Sequence, residues 1–240
     1  MIELAAAVFW ITACTLIGVR LVLLASRTRG LPEILIGIAF LLAGLVSPGL
    51  NLLRGLAALE PSLDVILGSL ALAALHCGIA MIAGFTWRVF RPGRVGAVAC
   101  ALFILALAAG SVAEIVAFDP RPNAPMTTGF WFSVSIRIGI YGWATVEALA
   151  YWAQLRRRMN LGLADPVVTN RILMWAMGTG SITLLWVRAA YLGMASTEGV
   201  AALGGLVQTA LILWCVAAFW LSFFPPAAYQ DALRRRAAAG

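Results

Sequence analysis

The sequence predicts an all-α, polytopic integral membrane protein, a bundle of seven transmembrane helices with the N-terminus outside and the C-terminus in the cytoplasm. Composition is the first observation, because 62% of the residues are hydrophobic and only 11% are charged. A soluble domain needs far more charge on its surface. Apolar runs long enough to span a bilayer recur along the whole chain. Arginine is concentrated in alternate connections between those runs, which gives the orientation.

The apolar runs define seven spans, each able to cross a hydrocarbon layer of about 30 Å at roughly 1.5 Å per helical residue. They form one domain, residues 1–222, and the cytoplasmic tail 223–240 is expected to form a short interfacial helix. The first run begins after an acidic residue and precedes its arginines, so we interpret it as a span rather than a signal peptide. The spans cover about 3–25, 33–53, 63–89, 95–117, 130–153, 171–193 and 200–222.

The distribution of arginine orients the bundle. Twelve of the 17 arginines lie in or beside the connections after spans 1, 3 and 5 or in the tail, whereas the opposite connections hold only Arg54 and Arg121. Positive residues accumulate on the cytoplasmic side, so the sequence predicts an integral protein of the bacterial cytoplasmic (inner) membrane. The twelve are Arg27, Arg29, Arg88, Arg91, Arg94, Arg156, Arg157, Arg158, Arg171, Arg234, Arg235 and Arg236.

Missing residue types exclude several classes of protein. No lysine occurs, so neither retinal nor pyridoxal can be held as a Schiff base, and we expect no cofactor. The single histidine, His76, cannot supply two haem ligands or a zinc site, so we also expect no metal. The arginines flank apolar runs instead of forming one basic surface, which argues against nucleic acid as a partner. The four cysteines lie in four different spans and are expected to be packing residues.

Three charged residues lie in the outer third of the predicted spans. They are Glu114 in span 4, Arg137 in span 5 and Arg188 in span 6. A charge inside a bilayer is tolerated best when it faces the bundle and has a partner. We therefore expect Glu114 to form an ion pair with Arg137 or with Arg188. The surplus positive charge either extends to the lipid headgroups or attracts an anionic ligand.

Polar residues repeat every four positions along span 5. Ser133, Arg137, Tyr141 and Thr145 therefore share one face of a helix, which must contact protein or water rather than lipid. One interpretation is hydrogen bonding between helices, including a buried neutral role for the histidine; the other is the wall of a polar cavity that opens outward. The candidate ligand-binding residues for this cavity are Arg137, Arg188, Tyr141, Tyr191, His76 and Gln208.

A second acidic residue, Glu147, also lies within span 5. It follows Arg137 by ten residues and lies on a different face, so these two are not expected to pair. Arg20 of span 1 has a similar predicted depth, and we expect a structural ion pair between Glu147 and Arg20. Catalytic signatures such as HExxH, GxSxG and the P-loop do not occur. The sequence therefore predicts that the protein is not an enzyme.

Three functions fit these observations. Seven spans with an outer N-terminus are similar to rhodopsins and G-protein-coupled receptors in count and orientation only. They favour a receptor-like or accessory protein that binds a small anionic or amphipathic ligand and acts with a protein partner or as a homo-oligomer. A small-solute transporter of 3+1+3 helix design is the alternative, supported by similar motifs at 87–92 and 220–225 and by interruptions at 47–49 and 178–181. The third function is a structural or assembly subunit of a membrane complex.

Overall fold

The computed structural model describes residues 2–57, 59–118, 126–194 and 201–238, and every regular element in these ranges is a helix. The all-α prediction is therefore confirmed for the described residues. Arg121 and most of the connection around it lie outside them. The elements are α1 (Ile2–Thr28), α2 (Leu31–Leu41), a π-helical segment (Leu42–Val46), α3 (Ser47–Leu56), α4 (Pro61–Phe90), α5 (Arg94–Val116), α6 (Thr128–Met159), α7 (Pro166–Met194), α8 (Ala201–Phe223) and α9 (Ala227–Ala238).

Six helices are long and apolar enough to cross a membrane, and they correspond to predicted spans 1, 2, 3, 4, 6 and 7. This composition supports an integral membrane protein. Helix α6, which covers predicted span 5, is less apolar than these six because Arg137, Glu147 and several hydroxyl-bearing side chains interrupt it. The count of seven crossings and the orientation of the termini therefore stay predictions.

The second span is one rod with a distortion near its centre. α2, the π-helical segment and α3 follow one another without a break, and the Ser47 N–H donates to the Leu42 carbonyl across the widened turn. Pro48 accounts for the position, because proline lacks an N–H and its ring crowds the preceding turn. The distortion thus lies just before the interruption predicted at 47–49, in a π-turn, a feature that is frequent at functional sites. The other predicted interruption, 178–181, is wrong, because these residues lie within the continuous helix α7.

Six rods enclose a central axis. α1 contacts the α2–α3 rod, which contacts α4; α4 contacts α6, α6 contacts α7, and α7 contacts α8, which closes the ring against α1. α5 packs outside this ring, across α4 and α6. The first three rods are α1, the α2–α3 rod and α4, and the last three are α6, α7 and α8. Each group of three packs in chain order, and its last rod contacts the first rod of the other group.

Small residues let the rods approach closely around the axis. A Cβ added to Gly78 of α4 would lie 2.8 Å from the backbone nitrogen of Ala43, so glycine is required where α4 passes the π-helical segment. The cysteines are all free, and three of the four act as packing residues. The buried three are Cys14, Cys100 and Cys215, and the exposed one is Cys77.

The tail after α8 forms α9, which docks against the start of α7. Asn170 Nδ2 donates to the Tyr229 hydroxyl at 2.9 Å. One residue further along α7, Arg171 Nε donates to the Ser222 carbonyl at 2.6 Å, and the Ser222 hydroxyl donates to the Arg171 carbonyl at 3.1 Å. The tail thus contains a helix at the end of the bundle where α1 ends and α2 begins, and its place at the membrane interface stays a prediction. We call this end the arginine-rich end.

Candidate functional site

A buried ion pair joins α5 to α6. Arg137 lies in the first half of α6 and is only 2% exposed, although its guanidinium carries five N–H donors. Its Nη2 donates to Oε2 of Glu114, which is buried near the end of α5. Arg137, one of the two arginines that the sequence offers as partners for Glu114, is therefore paired with it.

His76 of α4 extends this pair into a network. Arg137 Nε lies 3.1 Å and Nη2 lies 2.7 Å from His76 Nε2. A guanidinium can only donate, so Nε2 accepts and the proton of the neutral imidazole is on Nδ1. Nδ1 therefore donates to the Ser111 hydroxyl oxygen at 2.8 Å. His76 has the buried neutral hydrogen-bonding role that the sequence allows, and it joins α4 to both α5 and α6.

Trp186 of α7 supplies an aromatic face to the same guanidinium. The guanidinium carbon of Arg137 lies 4.7 Å from the centroid of the Trp186 ring, within the range of a cation–π contact. Arg137 is thus held by a carboxylate, an imidazole and an indole that come from three different helices. We call these four side chains together with Ser111 the Arg137 network.

The Arg137 network is costly to assemble, which is why its presence is informative. Taking a guanidinium and a carboxylate out of water costs several kcal/mol per ion, and their attraction at best roughly offsets that cost. Apolar side chains of similar volume are often equally stable in such places. Charged residues inside a membrane bundle are therefore candidates for function by default.

A cavity of about 270 Å³ lies on the axis of the ring beside this network. All six rods contribute to its wall, and none of the described lining residues belongs to α5. The wall is mostly apolar and aromatic, with a few polar groups, as is typical of a site for a small organic molecule. The six rods contribute Trp10, Ala43, Leu75, Tyr141, Trp186 and Gln208, among others.

Two positions connect the cavity to the rest of the bundle. Ala43 belongs to the π-helical segment, so the distorted turn of the second rod forms part of the wall. Trp186 lines the cavity and also covers the Arg137 guanidinium. A molecule that moved the Trp186 indole would therefore also disturb the Arg137 network.

The predicted ligand-binding residues divide between these two sites. Tyr141, Arg188 and Gln208 line the cavity, where they contribute a phenol hydroxyl, a guanidinium and an amide. His76 and Arg137 are buried in the network and are not among the residues that line the cavity. Five of the six predicted residues thus lie in the network or on the cavity wall, and their role as ligand-binding residues stays a prediction.

Tyr191 belongs to neither site. Its side chain is 55% exposed on α7. Sequence reasoning also overlooked Ser111 and Trp186. Ser111 precedes Glu114 by three residues on the same face of α5, which is the signal that could have found it. Trp186 offered no comparable signal, because its role depends on how α7 packs against α6.

The polar stripe of α6 faces protein, as predicted. Ser133 is 0% and Tyr141 is 5% exposed, and the Thr145 hydroxyl lies 3.0 Å from the Thr179 hydroxyl of α7. The two interpretations of the stripe apply to different residues. Arg137 and Thr145 form hydrogen bonds to neighbouring helices, whereas Tyr141 lines the cavity.

Glu147 has a different partner from the one predicted. Its Oε1 accepts a hydrogen bond from Trp143 Nε1 at 3.2 Å and lies 3.7 Å from Nε of Arg91, just after α4. The Arg20 guanidinium carbon instead lies 4.2 Å from the centroid of the Phe224 ring. Equal depth alone misled the prediction, because α6 packs against α4 in the ring rather than against α1.

No family model, no curated protein and no solved structure matches the chain. In the part of the chain that the structure describes, no group of three or more His, Cys, Asp and Glu side chains is placed to hold a metal ion. The function is therefore inferred from the Arg137 network and the central cavity.

Proposed function

We propose that the protein is a non-enzymatic, receptor-like or accessory membrane protein that binds a small amphipathic anion in its central cavity. The cavity itself carries the proposal, since six rods line a largely apolar space with a guanidinium and an amide on its wall. Arg188 and Gln208 suit a carboxylate or phosphate, because a guanidinium donates paired hydrogen bonds to such groups. Trp10, Leu75 and Trp186 suit the apolar body of the same molecule.

The proposal takes α6 as the seventh crossing of a bacterial cytoplasmic membrane, with the N-terminus outside. Three observations support α6 as a crossing. α6 is one rod of the ring, and its polar stripe is buried against protein. Its exposed side chains include Phe132, Val146 and Leu149, which suit lipid. The low apolar character of α6 thus comes largely from the side that does not contact lipid.

The topology can be tested with single cysteines at the two ends of α6. Met126→Cys and Asn160→Cys are made separately in a Cys77→Ser background, and intact bacterial cells are treated with a membrane-impermeant maleimide. We expect labelling at position 126 and none at 160 until the cells are opened. Labelling of both positions from outside would show that α6 does not cross, and labelling of 160 alone would reverse the orientation.

The ligand proposal is tested by thermal unfolding of the purified protein with a panel of small amphipathic carboxylates and phosphates. A ligand at about 100 times its Kd stabilises the folded state by roughly 2.7 kcal/mol. We expect at least one member to give such a shift, and we expect Arg188→Gln and Gln208→Leu to reduce it. Tyr191→Phe is the matched control, because Tyr191 lies on the same helix but outside the cavity.

The contrary outcomes separate the remaining functions. A shift that survives in both Arg188→Gln and Gln208→Leu would show that the ligand binds elsewhere. If no member of the panel shifts the wild type, the receptor-like proposal fails. The Arg137 network would then serve stability alone, as expected of a structural or assembly subunit of a membrane complex.

A small-solute transporter of 3+1+3 design is the second candidate, and the position of α5 favours it. α5 lies outside the ring and contacts α4 and α6, the last rod of the first three and the first rod of the last three, as a connector between two parallel halves would. The cavity lies between the halves, where such transporters bind their substrates. In proteoliposomes, a transporter would exchange an external radiolabelled ligand for the unlabelled ligand inside, whereas a receptor would bind the ligand without moving it.

A further inference from the structure

A second polar pocket lies at the arginine-rich end, where α6 ends, α7 begins and α9 docks. Its volume is about 240 Å³, and its wall combines Arg156 of α6, Thr169 and Asn170 of α7, and Arg236 of α9. Trp152 and Leu233 add apolar surface to the same wall. Because the central cavity lies toward the other end of the bundle, this pocket does not depend on the function proposed above.

The pocket has a positive charge that the other residues of its described wall do not balance. Two guanidinium groups line it, and no carboxylate is among the described lining residues. The nearby aspartates are engaged elsewhere. Asp165 Oδ1 accepts the Val167 N–H at 2.6 Å and so caps the start of α7, and Asp231 lies 3.8 Å from Arg234 on the exposed side of α9. Like charges converging on one space favour an anion between them.

Contacts within the fold hold the Arg156 guanidinium and the helix that carries Arg236. The Arg156 guanidinium carbon lies 5.4 Å from the centroid of the Trp152 ring. Arg236 is carried by α9, which is held to α7 by the hydrogen bond between Asn170 and the Tyr229 hydroxyl. Gln230 Nε2 also donates to the Pro225 carbonyl at 2.8 Å and secures the turn that leads into α9.

We propose that this pocket binds the phosphate of an anionic phospholipid headgroup, with Arg156 and Arg236 as its ligands. Basic pockets between helices on the cytoplasmic side of a membrane commonly hold such headgroups. Trp152 suits the boundary between headgroups and acyl chains, since tryptophan is enriched there. Leu233 gives the glycerol and the first acyl carbons an apolar contact. The tail helix thereby becomes part of a lipid site and is not merely a cytoplasmic extension.

Native mass spectrometry of the delipidated full chain in detergent tests the proposal. The protein is titrated with phosphatidylglycerol and, separately, with phosphatidylcholine that carries the same acyl chains. We expect one phosphatidylglycerol to bind before any phosphatidylcholine does. Arg156→Gln and Arg236→Gln should each weaken that first binding roughly fivefold, the effect of one basic residue at a membrane surface.

Arg234→Gln is the matched control, because it removes the same charge from the same helix while Arg234 lies outside the pocket and pairs with Asp231. It should leave the first phosphatidylglycerol within about twofold of wild type. An equal loss in Arg234→Gln and Arg236→Gln would show diffuse surface charge and overturn the proposal. So would equal binding of the two lipids. If inorganic phosphate alone binds as tightly as phosphatidylglycerol, the site takes a soluble anion, and the assignment to lipid is wrong.

Discussion

The two halves of α6 hold ion pairs in different surroundings. In the first half, Arg137 is 2% exposed and contacts Glu114, His76 and Trp186. In the second half, Glu147 contacts Arg91, whose side chain is 57% exposed. Both pairs join α6 to a neighbouring helix, but only the first is withdrawn from water on both sides.

This difference shows that access to water, rather than the number of charges, decides how strongly the free energy of unfolding depends on an ion pair. An exposed pair gains little, because water solvates either partner well when the other is removed. A buried pair leaves an uncompensated charge when one partner is lost, and the cost is then large. Single substitutions in the two halves of α6 should therefore differ strongly in effect.

The largest effect is expected for Glu114→Gln. The substitution keeps the shape of the side chain but leaves the buried Arg137 guanidinium without its counter-charge, which costs about 3–5 kcal/mol. The free energy of unfolding in detergent, measured by denaturant titration with helical circular dichroism, reports this loss. Trypsin sensitivity of the purified variant gives an independent check.

Glu147→Gln is the matched control in the second half. Because Arg91 is largely solvated, this variant should lose less than about 1 kcal/mol. A second control replaces both buried partners, in Glu114→Leu with Arg137→Met, and should recover much of the stability lost in Glu114→Gln, since no uncompensated charge remains. Equal losses for Glu114→Gln and Glu147→Gln would contradict the contrast between the halves.

The contrast between the two ion pairs of α6 also shows which parts of the site can be predicted from the sequence. The four-residue repeat on α6 predicts a protein-facing stripe, and the insertion cost of charge predicts a partner for Arg137; both follow from local rules and lipid solvation. The partner of Glu147 depends on which helix lies next to α6. Neighbours in a bundle are set by packing among all rods, and that information is spread over the whole chain.

The wall of the central cavity likewise combines residues that the sequence predicts with residues that it does not. Arg188, Gln208 and Tyr141 were predicted as lining residues because polar side chains inside a membrane must face protein or water. Trp10, Leu75 and Ala43 are apolar, and nothing in their own sequence context separates a cavity wall from a lipid-facing surface. The exposed Tyr191 illustrates the converse, because a polar tip can also sit at the outer surface of a bundle.

His76→Leu tests the hydrogen bonds around Arg137 and should have the second-largest effect. It removes the acceptor for Arg137 Nε and Nη2, and a hydrogen bond to a charged group contributes about 1.5–3 kcal/mol. The free energy of unfolding is compared with that of Ser111→Ala, which loses only the neutral bond to Nδ1 and should cost about 1 kcal/mol. If His76→Leu is no less stable than Ser111→Ala, Nε2 is not the acceptor for the guanidinium.

Two glycines on α6 extend the comparison to packing. A Cβ on Gly129 would lie 2.8 Å from the Ala113 carbonyl carbon and 2.9 Å from the Glu114 backbone nitrogen. Gly129→Ala should therefore push α6 away from α5 and cost about 1–3 kcal/mol. Gly142 has nothing within 4 Å of its added Cβ, so Gly142→Ala should be neutral or stabilise the helix by roughly 0.5–1 kcal/mol. Thermal unfolding of both variants in the same detergent tests these expectations. A Gly129→Ala variant more stable than the wild type would contradict the close approach of α6 to α5.

The smallest effect is expected for Thr145→Val in the second half of α6. The variant keeps the branched shape and loses the contact between the Thr145 and Thr179 hydroxyls, which are 3.0 Å apart. Hydrogen bonds between membrane helices contribute about 0.6 kcal/mol on average, because polar groups also find partners in the unfolded state within the membrane. Thr179→Val serves as the reciprocal variant, and the double variant should lose little more than either single one. A loss as large as that of His76→Leu would mean that neutral hydroxyl contacts hold α6 as firmly as the buried charges do, and the contrast between its halves would then have to be explained by packing.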